Sequence, residues 1–112
     1  MFKNILPFVL ILFLCSCKKD HKKITITNFK QQKTLLVEPY SLIPYSMFNL
    51  RIKGYVNDTI YLRTEGVYNL EFKLSGNIDT LWYSDYYGEG PIKCIFLPYK
   101  ATEGKLDIEI KL

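Results

Sequence analysis

Lys105-Leu-Asp-Ile-Glu-Ile-Lys-Leu112 is the stretch that decides the fold. Leu106, Ile108, Ile110 and Leu112 stand on one side of an extended chain, and Lys105, Asp107, Glu109 and Lys111 stand on the other. Side chains of a strand alternate between its two faces, so this segment predicts a strand with one face in a core and one in water.

The same period recurs upstream. Phe48, Leu50, Ile52 and Val56 alternate with Asn49, Arg51, Lys53 and Tyr55, and Tyr68, Leu70, Phe72 and Leu74 alternate with Asn69, Glu71 and Lys73. Shorter strands are expected at Ile24 to Phe29, Leu35 to Val37, Thr59 to Arg63, Ile78 to Ser84 and Ile92 to Leu97. Turn residues separate them: Asn57-Asp58, Glu65-Gly66, Ser75-Gly76-Asn77, Gly88-Glu89-Gly90-Pro91 and Glu103-Gly104. Alanine occurs only at Ala101, β-branched and aromatic residues abound, and no stretch after residue 17 carries a helical period. The expectation is an all-β domain over residues 24–112. It is a small antiparallel β-sandwich, Ig-like by first choice, or a small barrel, built of about seven or eight short strands.

Two finer expectations follow. Val56 and Ile60 both belong to the inward set, so a hairpin between their strands needs the odd loop Asn57-Asp58-Thr59. Phe48-Asn-Leu-Arg-Ile-Lys53 is echoed by Tyr68-Asn-Leu-Glu-Phe-Lys73, and Asp58-Thr59-Ile60-Tyr61 by Asp79-Thr80-Leu81-Trp82. If the echo is structural, Trp82 takes the place of Tyr61 and faces outward. Otherwise strand–turn–strand units have converged on similar residues.

The first residues read as a targeting segment. Lys3 is a basic start, and Ile5 to Leu14 is an uncharged apolar run ending in Leu14-Cys15-Ser16-Cys17. The run is shorter than the roughly 20 residues a permanent span requires, and a short apolar core behind a basic start is the pattern of a secretory signal. With its apolar, variable, small and cysteine positions in order, this N-terminus resembles a bacterial lipoprotein precursor. The resemblance covers residues 1–17 only. It implies a signal peptide at 1–16, cleavage before Cys17, diacylation of the Cys17 thiol and acylation of the new amino terminus. Cys15 does not fit as the lipid site, since Leu14 before it is not small. Lys18 after the cysteine looks like outer-membrane sorting in a Gram-negative envelope. The expected partner is therefore the membrane, reached through the lipid, with residues 17–23 as lipidated cysteine and basic tether.

Charge placement bears on partners. The formal charge is +4. Lys18-Lys-Asp-His-Lys-Lys23 holds most of the excess, while from Ile24 onward ten basic residues meet ten acidic ones. A neutral domain offers little to a phosphate backbone, so nucleic acid is not an expected partner.

Residues able to do chemistry are scarce. Cys94 is the one cysteine of the domain, so no internal disulfide forms, and it shares a strand face with Ile92 and Phe96, as a buried thiol does. The only histidine, His21, falls in the tether. Asp79, Asp85 and Glu89 match no calcium-loop spacing, and there is no phosphate loop, metal-ligand spacing or nucleophile elbow. The reading is a non-enzymatic domain without a cofactor or a metal. Trp82, Tyr83, Tyr86 and Tyr87 precede a Gly-rich loop and are the candidate binding residues; such aromatics stack on sugars, anchor a protein partner, or close the end of a core. Two function classes follow: a lipid-anchored binder of a protein or glycan, and an inhibitor or immunity-type lipoprotein acting through a protruding loop at Tyr86 to Pro91. Finally, Asp58-Thr59-Ile60 and Asp79-Thr80-Leu81 resemble the O-glycosylation motif of some Gram-negative envelope proteins, with Thr59 and Thr80 as acceptors. The competing reading is that each Asp caps a turn and each Thr starts a strand.

Overall fold

The computed structural model describes residues 18–112. The expected signal peptide and lipid site, residues 1–17, lie outside the described residues. The domain is all-β and antiparallel, a nearly closed barrel or sandwich of six strands: β1 (His21–Ile26), β2 (Lys33–Val37), β3 (Met47–Gly66), β4 (Glu71–Asp85), β5 (Ile92–Leu97) and β6 (Gly104–Lys111).

Six strands replace the expected seven or eight because two of them are double length. Each short segment read from the sequence exists, but 48–56 and 59–63 fuse into β3, and much of 68–74 fuses with 78–84 into β4. No hairpin forms at Asn57-Asp58-Thr59. Val56 pairs with Gly76 and Ile60 pairs with Leu74, so three residues of β3 oppose only Ser75 of β4. A bulge of this kind bends and twists a ribbon without ending it. Val56 and Ile60 are both fully buried, as their phase requires, but they succeed each other along one strand.

The bend folds the β3–β4 ribbon back on itself and makes two facing sheets that continue into each other through β3 and β4 as one six-stranded sheet. Before the bulge, β3 lies between β4 and β6, and β1 pairs with β6. After it, β3 lies between β4 and β5, and β2 pairs with β5. The inward sets of both sheets form one core, including Phe48, Leu50, Ile52, Val56, Ile60, Leu62, Ile92, Phe96, Leu106, Ile108 and Ile110. On the far edge β1 and β2 approach each other, and the Glu38 amide donates to the Lys19 carbonyl at 2.8 Å across the seam.

The bend demands a very close approach of β3 and β6. Gly54 and Gly104 have φ of +146° and +148°. A Cβ on Gly54 would collide with the Lys105 carbonyl oxygen, and one on Gly104 with that of Tyr55. Only glycine permits both the conformation and the contact.

The strands place all loops at two ends. One end carries the bulge, the β1–β2 loop and the β5–β6 loop. The other carries the entry of the chain at Lys18, the β2–β3 loop, the tip of the β3–β4 hairpin, the β4–β5 loop and Leu112. β1 starts at His21, ahead of the expected Ile24, so half of the supposed tether is already strand.

Candidate functional site

The four aromatic candidates separate according to strand phase. On β4 the even positions face the core and the odd ones face water. Trp82 accordingly turns inward, correcting the outward position the internal echo implied. Its ring packs edge-on against Tyr68 at 5.2 Å and Phe48 at 6.0 Å. The reason is in the offset: Tyr61 and Trp82 stand 21 positions apart, and an odd offset exchanges the faces of a strand. Together Trp82, Tyr68 and Phe48 plug the gap between the two sheets along the β4 edge.

Tyr86 is fully buried as well. Its hydroxyl donates to the Gly90 carbonyl, its amide donates to the Ser46 carbonyl at 3.1 Å, and its ring meets Tyr45 edge-on at 5.9 Å. Burial pushes its phenol above the ordinary tyrosine range. Tyr86 is thus an inner strut of the β4–β5 loop. The neighbouring Tyr87 is open to water at its tip, where the Tyr87 amide donates to the Glu89 carboxylate.

That leaves Tyr83 as the exposed aromatic on a strand, and it has company. Leu81 and Tyr83 are 53% and 58% exposed on the outer face of β4, and Tyr55 is 49% exposed on β3. Between them runs a row of polar positions. Asn49 pairs with Tyr83, Arg51 with Leu81, Lys53 with Asp79 and Tyr55 with Asn77. On its other side β3 pairs Arg51 with Glu109 and Lys53 with Asp107, and β6 pairs Glu109 with Lys23 and Asp107 with Thr25. Opposite charges meet across the strands, whereas along each strand like charges adjoin, Arg51 with Lys53 and Asp107 with Glu109. The Thr25 hydroxyl donates to Asp107 at 2.6 Å, and Arg51 lies 3.5 Å from Asp79. His21 sits at the end of this face, its Nε2 2.6 Å from Glu109. That hydrogen bond holds the Glu109 carboxyl below the ordinary carboxylate range. A small hollow of about 110 Å³ opens among Lys23, Arg51, Lys53, Asp107 and Glu109. The face is therefore polar and close to charge balance, with Leu81, Tyr83 and Tyr55 as its apolar contacts.

Nothing in this arrangement supports nucleophilic chemistry. Cys94 is 2% exposed, and burial pushes its thiol up to about 12. It points into the core from β5, whereas His21 lies on the outer face of the opposite sheet. Thr59 is half-buried at the bulge, where its amide donates to Asp58 Oδ1 at 2.7 Å. Thr80 is half-buried on the inward side of β4, opposite Ile52. The aspartate of the first motif therefore caps the bulge through the backbone.

Sequence reasoning missed two groups of residues. The outer face of β3–β4 was readable as polar, but its contact with β6 and β1 depended on the bend. The second group is the loop Tyr40-Ser-Leu-Ile-Pro44, where Leu42 is 94% exposed and Ile43 47%. Its signal was present: an apolar pair bracketed by Pro39 and Pro44 belongs to no strand face.

No family model and no curated protein matches the chain. Among solved structures, the chain is similar to a de novo designed double-stranded β-helix, at TM-score 0.43 and 13% identity over 81% of this chain and 95% of that one. It is also similar to PirA, at TM-score 0.49 and 7% identity over 82% and 92% of the two chains. A family 16 carbohydrate-binding module is similar at TM-score 0.34 and 10% identity over 79% and 72%.

Proposed function

We propose that the chain is a lipid-anchored protein of the bacterial envelope whose β-domain binds a partner and performs no catalysis. The observation that carries the binding reading is the solvent-facing set of Leu81, Tyr83 and Tyr55 around a face whose basic and acidic residues pair across the strands and nearly balance. Large apolar groups kept in water on a flat strand face are the kind that anchor a ligand. A face with balanced charge suits an uncharged polymer. Tyrosine rings supply stacking surface, while Asn49, Arg51, Asp79 and Asn77 supply donors and acceptors for hydroxyl groups. We therefore assign a neutral glycan of the envelope as the partner class, with Tyr83 and Tyr55 as stacking residues. The anchor is the lipid on Cys17, supported by the agreement of the basic start, apolar run and Leu14-Cys15-Ser16-Cys17 at the N-terminus.

Glycan pull-down with the full chain tests the binding reading. Retention should fall at least about tenfold in a Leu81→Ala/Tyr83→Ala chain, the loss of two modest contacts, and stay unchanged in Tyr87→Ala. No retention of the parent on envelope glycans would end the glycan reading.

A second reading has one specific observation behind it. The Tyr86–Gly90 hydroxyl bond and the Tyr87–Glu89 bond brace the β4–β5 loop and present Tyr87, 68% exposed, at its tip. A rigid loop with an aromatic tip is the form an enzyme- or toxin-blocking protein would use. Capture of a single hydrolase or toxin, lost in Tyr87→Ala and retained in Leu81→Ala/Tyr83→Ala, would favour this inhibitor role.

A further inference from the structure

Leu42 stands out among the described residues. It is 94% exposed, more than any other large apolar side chain of the domain, and Ile43 beside it is 47% exposed. They do not dangle. The Tyr40 amide donates to the Tyr45 hydroxyl at 2.8 Å, closing the neck of the loop, and the same hydroxyl donates to Asp20 Oδ2 at 2.9 Å. Leu42 and Ile43 are thus the tip of a pinned turn held out from the barrel.

The turn projects beside the point where the chain enters. The Lys19 amide meets the Tyr40 hydroxyl at 3.4 Å, and the Lys19 ammonium lies 4.8 Å above the Tyr40 ring. Lys18, Tyr40, Ile43 and Lys111 line one hollow of about 310 Å³. Entry is also tight. The Lys19 carbonyl accepts from Glu38, and the Asp20 carbonyl from Leu112 at 2.9 Å. Only Lys18 separates Cys17 from residues bonded into the barrel, and one residue spans less than about 4 Å.

From this geometry we infer that the Leu42–Ile43 turn docks into the bilayer surface beside the anchor, with Tyr40 and the Lys18 and Lys19 side chains at the headgroup level. A lipid on Cys17 with no spacer brings this end of the barrel against the membrane, and an apolar tip flanked by a tyrosine and lysines matches the layered polarity met there. The several acyl chains on Cys17 hold the protein at the membrane, and the apolar tip adds a second point of contact. Docking also fixes orientation. It turns the β4–β5 loop toward the headgroups and leaves the outer face of β3–β4 standing upright, open to a glycan.

Docking rests on the lipid-anchor reading of Cys17, so its test keeps the two apart. The full chain is purified from the envelope and reconstituted into vesicles of phosphatidylethanolamine and phosphatidylglycerol containing a brominated lipid. Tryptophan is added at the tip in Leu42→Trp, or at the far end in Glu103→Trp, each measured against the parent with Trp82 alone. Docking predicts a blue-shifted added emission at 42, quenched at least about twofold more strongly than at 103, since brominated chains lie below the headgroups. Equal quenching at both positions overturns docking. Fatty-acid labelling of the parent and of Cys17→Ser reports on the anchor separately. Label on Cys17 with an unquenched tip leaves the anchor and removes docking; a quenched tip without label keeps docking and removes the anchor.

Discussion

Asn57 clasps Thr102 across the bend in β3. The Asn57 Nδ2 donates to the Thr102 hydroxyl at 2.8 Å, while Asn57 Oδ1 accepts from the Thr102 amide at 2.9 Å. Oδ1 also accepts from the Glu103 amide at 3.1 Å, and the Asn57 amide donates to the Glu103 carbonyl at 3.0 Å. The side chain expected to make a hairpin turn thus pins the bulge to the β5–β6 loop. Asn57→Ala should cost about 1–2 kcal/mol, the sum of a few exposed hydrogen bonds. Urea melts would read it, and a cost near zero would mean that the bulge holds without the clasp.

Gly54 and Gly76 make a graded pair. Gly54→Ala drives a Cβ into the Lys105 carbonyl and should cost more than about 3 kcal/mol or prevent folding. Gly76 has φ of +71° but open space around its missing Cβ. Gly76→Ala should cost only about 1–2 kcal/mol, the strain of the left-handed conformation. Thermal melts of the two variants should rank in that order.

Trp82 and Tyr83 are neighbours with opposite duties. Trp82→Ala empties the plug between Phe48 and Tyr68 and should destabilise by about 3 kcal/mol or more. Tyr83→Ala should change stability by less than about 0.5 kcal/mol, while weakening retention on the partner. Equal losses of stability in denaturant melts would mean that the phase of β4 is misassigned.

Cys94 should ignore a thiol reagent at mildly alkaline pH in the folded protein. With its thiol pushed up to about 12 by burial, almost none of it is thiolate there. Reaction with a chromogenic disulfide should appear only on adding denaturant, at the rate of unfolding. Fast labelling of native protein would contradict the packing of β5.

The Glu109 carboxyl, held low chiefly by its hydrogen bond with His21, gives an acid-side dependence. A carboxyl whose folded value lies below its unfolded one stabilises the fold above the unfolded value, and that contribution is lost as pH falls through the depressed one. Stability should therefore decline below the ordinary carboxylate range, and His21→Ala should lift the Glu109 carboxyl and flatten that decline. Carbon-detected titration of Glu109, paired with melts across the acid range, checks both.

How much of this was legible beforehand follows from what alternation records. Leu106, Ile108 and Ile110 announce their burial because a strand has period two and one face must leave water. The same rule found the inward sets of Phe48 to Val56 and Ile92 to Phe96, hence the all-β class and most of the core. It also placed Val56 and Ile60 on one face. The basic and apolar order of residues 3–17 is likewise a purely local pattern, and so is the neutrality of the domain.

Only the tertiary structure decided how the strands connect. Asn57-Asp58-Thr59 has the composition of a turn, and whether it reverses the chain or bulges depends on the partner strand opposite, which composition does not encode. The bulge fused four short segments into β3 and β4, and sheet pairing brought Lys23, Arg51, Asp79 and Glu109 onto one face from four strands. It also gathered the β2–β3 turn and the entry of the chain at one end, so that Ile43 and Lys18 line one hollow. Burial follows from a residue's own strand, whereas a site is made of residues distant in sequence, and their meeting is fixed by sheet pairing and by the close approach that Gly54 and Gly104 allow.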